Sequence, residues 1–235
     1  MSFFILATGQ RQNSEWKSFE TAFQDLHRTD LSFPPLQLGL YSTSASSAPA
    51  VYEAANGDTI VVLGSLLSSG KSAPEALPVL LDQFEPSTFS WRDMLGTYII
   101  LIYKGSTLYV LGDGLGASKI YADSSRTLWS NSFLALCELG RPKLFDKQAC
   151  FEYASNGSVF GTRTLIKGIT SLPANSMLTV DGDKVSVEQR LSPIKNEALD
   201  HLTTLDAVAD YHVTQLEQVF EPIARNYGDR IRLRS

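Results

Sequence analysis

The stretch GTYIILIYKGSTLYVLGDGLG, residues 96–116, decides the fold class. It contains two runs of β-branched and aromatic residues, 97–103 and 107–111, joined by the glycine-containing turn 104–106. Such runs favour strands, and a short connection between them predicts a β-hairpin. The glycines of residues 112–116 do not predict a dinucleotide-binding loop, because a short strand follows them where that motif requires a long helix.

Two residues of this glycine-rich turn are structural candidates. Asp113 follows Gly112, and the side chains of Asp residues in turns accept hydrogen bonds from nearby backbone N–H groups. We therefore expect Asp113 to cap the turn in preference to a catalytic role. Gly116 is expected to adopt a positive φ, which glycine tolerates without steric cost.

Strands and helices are predicted on both sides of the hairpin. The predicted strands are 2–8, 59–67, 118–122, 127–130, 164–169, 176–180, 184–188 and 230–234. The predicted helices are 14–28, 74–84, 132–139, 146–154 and one that begins near residue 203, whereas residues 41–49 are predicted to be a loop or an irregular edge. Because most of the strands are joined by hairpins, the pattern predicts an α+β fold with mostly antiparallel sheets.

Charge and hydropathy exclude several classes of partner. The 235 residues carry 20 Lys and Arg against 25 Asp and Glu, a net charge of -5, so a nucleic-acid groove is not expected. The apolar runs are far shorter than the ~20 residues that span a bilayer, so no membrane partner is expected. The first ten residues lack the basic start of a signal peptide, which makes the cytoplasm the expected compartment.

Neither the cysteines nor the histidines predict a metal site. Cys137 and Cys150 lack metal-ligand spacing and are expected to be buried free thiols. His27, His201 and His212 are scattered along the chain. His212 lies on the apolar stripe of its predicted helix, so we expect a packed or capped side chain there.

Three segments, taken in order, resemble the glutaminase-type domain of the asparagine synthetase family. Asp113, Gly116 and Tyr121 match its D-x-x-G-x-x-x-L-Y turn. The segment LWSNSFLAL, residues 128–136, is similar to its S-S-E-x-x-A-L helix start, with Asn131 where Ser is usual.

The third segment is FGTRTLIKGITSLPANSMLTV, residues 160–180. It is similar to the family's G-x-R-T-L-F-x-G-I-x-x-L-P-x-G-H-x-L pattern, with Asn175 where Gly is usual. The matching residues are Arg163, Thr164, Leu165, Gly168, Ile169, Leu172, Pro173 and Leu178.

The resemblance implies an N-terminal-nucleophile (Ntn) hydrolase-like fold, a four-layer αββα sandwich with mostly antiparallel sheets. In active members a Cys after the initiator Met becomes the N-terminal residue. Its thiolate attacks the glutamine side-chain amide, and the ammonia passes to a second, ATP-using domain.

This chain departs from the family pattern at the residues that carry the chemistry. Ser2 stands at the nucleophile position, and Leu63, Gly64 and Ser65 align with the N-G-E substrate loop. Leu63 therefore stands where the family has the Asn that contributes to the oxyanion hole, and Ser65 stands where it has the Glu that holds the substrate amine. No Arg lies within residues 41–51 to bind the substrate carboxylate. Gly64 and Ser65 are substrate-binding candidates by position alone.

The resemblance also implies a domain organisation. Residues 1–190 are predicted to be the amidotransferase-like domain and 191–203 a linker. Residues 204–235 are predicted to be the first helix and strand of a truncated ATP-pyrophosphatase (synthetase) domain. The pair Thr203 and Asp206 has the spacing of a capping pattern, and Pro222 is expected to kink or end the helix.

The resulting functional hypothesis is a non-hydrolytic N-terminal domain of an asparagine-synthetase-like, ATP-dependent amide-forming ligase. Similar states are known among β-lactam synthetases and lasso-peptide cyclases. No cofactor is expected in this chain, whereas ATP and Mg²⁺ are implied for the synthetase domain, which would act in cis or in trans. A hydrolase that uses Ser2 as nucleophile, a non-enzymatic binding module and a homodimeric assembly are left open.

Overall fold

The structure, a computed structural model, describes residues 2–8, 19, 25–33, 36–44, 47–91, 94–140, 144–189 and 202–228. The strands within these ranges are β1 Ser2–Ala7, β2 His27–Phe33, β3 Leu36–Ser42, β4 Ala50–Glu53, β5 Thr59–Ser68, β6 Lys71–Ser72, β7 Met94–Lys104, β8 Thr107–Gly112, β9 Tyr121–Asp123, β10 Leu128–Ser130, β11 Ile169–Ser171, β12 Ser176–Asp181 and β13 Lys184–Gln189. The helices are α1 Ala73–Gln83, α2 Phe133–Leu139, α3 Lys147–Asn156 and α4 Leu205–Tyr227.

The strands form two sheets in which the described pairings are antiparallel. Sheet 1 has the order β11-β9-β10-β1-β3-β2, and sheet 2 has the order β13-β12-β8-β7-β5-β4, with β6 paired to β5. Strand β1 lies inside sheet 1, where Ile5 is opposite Ser130 of β10 on one side and Gly39 of β3 on the other. The N-terminal strand is therefore an interior strand.

Three apolar clusters define the layers. The first fills the space between the sheets and contains Phe4 and Leu6 of β1 together with Leu101 of β7. Successive residues of a strand face opposite sides, so the neighbouring residue Ile5 faces the other way and packs against α2. A third cluster packs α1, through residues such as Leu77, on the outer face of sheet 2. The predicted αββα four-layer α+β fold is thus confirmed.

The predicted hairpin forms between β7 and β8. Its two-residue loop consists of Gly105 and Ser106, both with positive φ (56° and 69°), as in the type I′ turns that match strand twist. The preceding residue, Lys104, donates its Nζ to the carbonyl oxygens of Leu81 (3.2 Å) and Phe84 (3.0 Å) at the end of α1. These bonds attach the hairpin to the outer helix.

Two strands of sheet 1 were not expected from the sequence. Residues 27–28, predicted to end a helix, lie in β2, and residues 41–42, predicted to be a loop or an irregular edge, lie in β3. Strand β2 is an edge strand with a polar sequence, HRTDLSF, so it lacks the apolar alternation of a buried strand. Most of the predicted helix 14–28 lies outside the described residues.

The predicted strand 164–169 is wrong. Only Ile169 of this segment belongs to a named strand, β11, whereas the rest forms turns and isolated bridges. The Thr164 hydroxyl donates to the carbonyl oxygens of Ile166 (3.0 Å) and Ile169 (2.8 Å). A side chain that bonds its own neighbouring backbone competes with strand pairing.

The C-terminal helix differs from its prediction in three respects. It begins one residue later than predicted, because Ala207 N donates to Thr204 Oγ1 at 3.2 Å. It continues past Pro222 to Tyr227, so the proline does not end it. His212, predicted to be packed or capped, is exposed, and its ring lies edge-on to that of Tyr211 at a centroid distance of 5.7 Å. The predicted linker, apart from residues 202–203, and the predicted strand 230–234 lie outside the described residues.

Candidate functional site

An open cleft of about 710 Å³ brings together the site residues that the sequence singled out. Ser2, the first residue of β1, shares this cleft with Gly64 and Ser65 of β5. The remaining lining residues are Ser47, Ala48, Leu63, Thr97, Ile99, Ala117, Ser118, Lys119, Tyr121 and Asn131. The cleft therefore draws on both sheets and on the glycine-rich turn.

Two glycines let strands β5 and β7 approach each other closely beside the cleft, and one of them, Gly64, lines it. Gly64 and Gly96 have φ values of +98° and +120° within the paired strands β5 and β7. A Cβ on Gly64 would lie 2.3 Å from the Thr97 carbonyl oxygen, and one on Gly96 would lie 2.1 Å from the Ser65 carbonyl oxygen. Only glycine fits at either position. Here the two longest strands expose residues 64–65 and 96–97, although most of the residues that follow in both strands are buried.

Asn131 holds the start of β1 against the cleft. Phe4 N donates to Asn131 Oδ1 at 2.9 Å, and Asn131 Nδ2 donates to the Ser2 carbonyl oxygen at 3.4 Å. Ser130, the preceding residue, donates its hydroxyl to the Phe4 carbonyl oxygen. The sequence marked Asn131 only as a departure from a motif, whereas in the structure it positions the backbone of Ser2.

Lys119 and Tyr121 also line the cleft and were not predicted as site residues. Lys119 is exposed, and it carries the one charged side chain among the described lining residues. Burial raises the pKa of the Tyr121 phenol, so this side chain is a neutral hydroxyl at physiological pH. Its ring packs against Phe133 with a centroid distance of 5.6 Å. The position of both residues in the D-x-x-G-x-x-x-L-Y turn was the available signal.

The glycine-rich turn carries Ser118 and Lys119 to the cleft. The buried carboxylate of Asp113 accepts hydrogen bonds from Leu115 N (3.2 Å), Ala117 N (2.9 Å) and Ser118 N (2.5 Å). Asp113 thus caps the turn, and it does not line the cleft; Gly116 has the expected positive φ of +70°. The buried Tyr98 phenol has a raised pKa, mainly through burial and further through the charge of Asp113.

The segment 160–180, which carries much of the family resemblance, has a structural role away from the cleft. Arg163 pairs with the buried carboxylate of Glu152 on α3. Glu152 also accepts from Phe160 N at 3.1 Å and from Gln148 Nε2 at 3.1 Å. The Phe160 N–H bond, followed by that from Gln148 and the Arg163 contact, lowers the pKa of Glu152. This network fixes the segment to α3.

No metal cluster is present in the part of the chain that the structure describes: no three His, Cys, Asp or Glu side chains come together there. Cys137 and Cys150 are both partly buried, where full burial was expected. None of the described helices is long and apolar enough to cross a membrane. The polar side-chain groups among the described residues that line the cleft are hydroxyls, one amide and one ammonium group.

The comparisons with known proteins return structures but no family. No family model and no curated protein matches the sequence. One similar structure is the glutamine phosphoribosylpyrophosphate amidotransferase from B. subtilis, complexed with ADP and GMP (TM-score 0.47, 10% identity). Another is described as the allosteric regulatory enzyme of purine biosynthesis (TM-score 0.48, 9% identity).

Both alignments cover 80% of this chain and 49% of the other chain. The chain therefore spans about half the length of the solved structures it matches. The fold assignment rests on the layers described above, and membership of the asparagine synthetase family stays a prediction.

Proposed function

We propose that this chain is the non-hydrolytic N-terminal domain of an asparagine-synthetase-like, ATP-dependent amide-forming ligase, and that it supports a synthetase domain. One observation carries the proposal. The cleft that contains Ser2 is lined by hydroxyls, one amide and Lys119, with no carboxylate or guanidinium among its described lining residues. The side chains that line this cleft are thus unsuited to glutamine hydrolysis.

Glutamine hydrolysis makes three demands on such a cleft. The α-ammonium and α-carboxylate of the substrate need partners of opposite charge, and the tetrahedral intermediate needs a preorganised donor for its oxyanion. Leu63 and Ser65 stand where the resemblance would place the oxyanion donor and the ammonium partner. Leu63 is 2% exposed and has no polar side-chain atom, so it cannot donate to an oxyanion.

Helix α4 supports the scaffolding part of the proposal. It runs for 23 residues, none of them buried, and exposes Leu205, Val213, Leu216 and Phe220. Near its end, Asn226 Nδ2 donates to the Gly70 carbonyl oxygen at 3.1 Å. A synthetase domain, in cis or in trans, would cover this apolar surface, and that domain would bind ATP and Mg²⁺.

A hydrolase that uses Ser2 is the second candidate, because Ser2 lines the cleft. An N-terminal nucleophile requires removal of Met1, since the α-amine of the mature residue serves as the base. The nearby amide donor, Asn131 Nδ2, is directed to the Ser2 carbonyl oxygen in the structure, at 3.4 Å.

Glutamate release from L-glutamine tests the two candidates on the 235-residue chain, with intact mass recorded in parallel. We expect the wild-type chain to release glutamate no faster than Ser2→Ala. Turnover that Ser2→Ala abolishes, in a chain that lacks Met1, would establish the hydrolase and overturn the proposal.

The coding sequence tests the scaffolding role. We expect an S-G-G-x-D-S pyrophosphate loop, either in frame beyond codon 235 or in a neighbouring gene. A stop codon there with no partner gene would contradict a synthetase partner.

A further inference from the structure

We propose that the cleft is a binding site for a small organic monocarboxylate without an ammonium group, and that Lys119 is its carboxylate-binding residue. This inference rests on the proposed function, because a cleft that does not hydrolyse glutamine is free to hold another ligand.

The charge of the cleft favours an anion. The described residues that line it contribute one positive side chain, Lys119, on a chain whose net charge is -5. Within the described ranges, no hydrogen bond or ion pair involves the Lys119 side chain. An ammonium group without a partner at the edge of a cleft attracts a ligand of opposite charge.

The hydroxyl groups favour an oxyanion and supply its remaining donors. Ser65, Thr97 and Ser118 line the cleft, and Tyr121 adds a neutral phenol. Each hydroxyl donates one hydrogen bond, so several of them can complete the coordination of a carboxylate whose charge Lys119 balances. Asn131 is already bonded to β1 and keeps this wall in place.

The same lining restricts the ligand to a monocarboxylate. An α-amino acid would bring an ammonium group, for which the described lining offers no carboxylate partner. A phosphate dianion is usually bound by several cationic or helix N-terminal donors, whereas this cleft offers one cation.

Binding of three matched compounds to the 235-residue chain, followed by isothermal titration calorimetry, tests this inference. Glutaramate is glutamine without its α-amino group, glutaramide is its neutral diamide, and L-glutamine is the zwitterion. We expect glutaramate to bind up to about fivefold more tightly than glutaramide, which lacks the carboxylate charge, since one exposed charge pair contributes up to about that factor. We also expect it to bind more tightly than L-glutamine, whose ammonium group has no carboxylate partner among the described lining residues. Inorganic phosphate is titrated as a fourth probe and is expected to bind more weakly than glutaramate.

Two lysine variants locate the site. Lys119→Met is expected to weaken glutaramate binding about fivefold, whereas Lys184→Met, on an exposed strand far along the chain, leaves it unchanged. Thermal melting checks that both variants fold.

The inference is overturned if glutaramate shows no binding at millimolar concentration, if glutaramide, glutamine or phosphate binds as well, or if Lys119→Met binds like wild type. Glutamate release is a separate readout. Glutamine turnover would contradict the proposed non-hydrolytic function, whereas the calorimetric result tests carboxylate binding in the cleft independently.

Discussion

The glycine-rich turn and the cleft beside it are built in opposite ways. In the turn, the polar side chain of Asp113 is buried and bonded to three backbone N–H groups. In the cleft, the backbone is fixed by Gly64 and Gly96, while side chains such as Ser65 and Lys119 face open space. The shape of the cleft therefore depends on its backbone, so its side chains can change with little effect on the stability of the fold.

The largest effect is expected from Gly64→Ala, which tests the backbone side of the comparison. The new Cβ would meet the Thr97 carbonyl oxygen at 2.3 Å, and alanine would be strained at a φ of +98°. Overpacking and strain together should lower the free energy of unfolding by about 4 kcal/mol. Urea denaturation measures the loss.

Gly57→Ala is the matched control. Gly57 has a similar φ, +87°, but a Cβ added there would have no neighbouring atom within 4 Å. It should cost only the strain, about 1–2 kcal/mol. Equal losses at the two glycines would show that close strand approach does not constrain the backbone beside the cleft.

A smaller loss is expected from Asp113→Ala, which tests the side-chain half of the comparison. The substitution leaves three backbone N–H groups of the turn without their acceptor, so we expect a loss of about 2–3 kcal/mol. Asp183→Ala, at an exposed hairpin turn, should change stability by less than ~0.5 kcal/mol. If the denaturation curves of the two variants coincided, the capping role of Asp113 would be contradicted.

Glu152→Gln should give a pH-dependent loss. Hydrogen bonds from Phe160 N and Gln148, with Arg163, lower the pKa of Glu152 below its ordinary value of 4.5. A lowered pKa in the folded state stabilises the protein above the ordinary value, and this stabilisation is lost as the pH falls through the folded pKa. Glu152→Gln should therefore lower the Tm at pH 7, and the Tm difference from wild type should shrink below pH 4.

The control is Glu221→Gln, which breaks the exposed i,i+4 pair with Arg225 on α4. An exposed pair of this kind contributes about 0.3–0.5 kcal/mol, so a small change is expected. A constant Tm difference for Glu152→Gln across the pH range would show that the carboxylate charge does not act at this site.

The smallest effect is expected at Ser65, which lines the cleft. Ser65→Ala should leave the free energy of unfolding within ~0.5 kcal/mol of wild type, because its side chain lies in the cleft. Ser130→Ala should cost about 1–2 kcal/mol, since its buried hydroxyl bonds the Phe4 carbonyl oxygen and Ser132 N. If Ser65→Ala were the more damaging substitution, the comparison between turn and cleft would be wrong.

Local sequence predicted those parts of the fold whose interactions are local. The β7–β8 hairpin needs only its own alternation and a two-residue turn, and α3 carries its own N-cap, since Asp146 accepts from Gln148 N and Ala149 N. The edge strand β2 was missed because its pairing with β3, and not its composition, makes it a strand. The strand predicted at 164–169 was wrong because the Thr164 hydroxyl bonds the carbonyl oxygens of Ile166 and Ile169, which competes with strand pairing.

The candidate site was likewise predictable only in part from the sequence. Ser2, Gly64 and Ser65 could be named because the resemblance aligned them, and the structure brings them to one cleft. Lys119 and Asn131 lie in motifs that the sequence marked, but their place beside the cleft depends on how distant parts of the chain come together, which the motifs do not give. The residues that align with family motifs were therefore predictable, whereas those brought to the cleft by the fold alone were not.

The interior place of β1 has a consequence for synthesis and folding. Phe4 and its partner Asn131 are 127 positions apart, so sheet 1 cannot close until the segment that contains Asn131 has left the ribosome. Pairing across such a separation requires a large loop to close first, which slows folding compared with locally connected proteins. During that interval the apolar FFILA strand lacks its partners on both sides, and such an unpaired apolar segment is prone to aggregation.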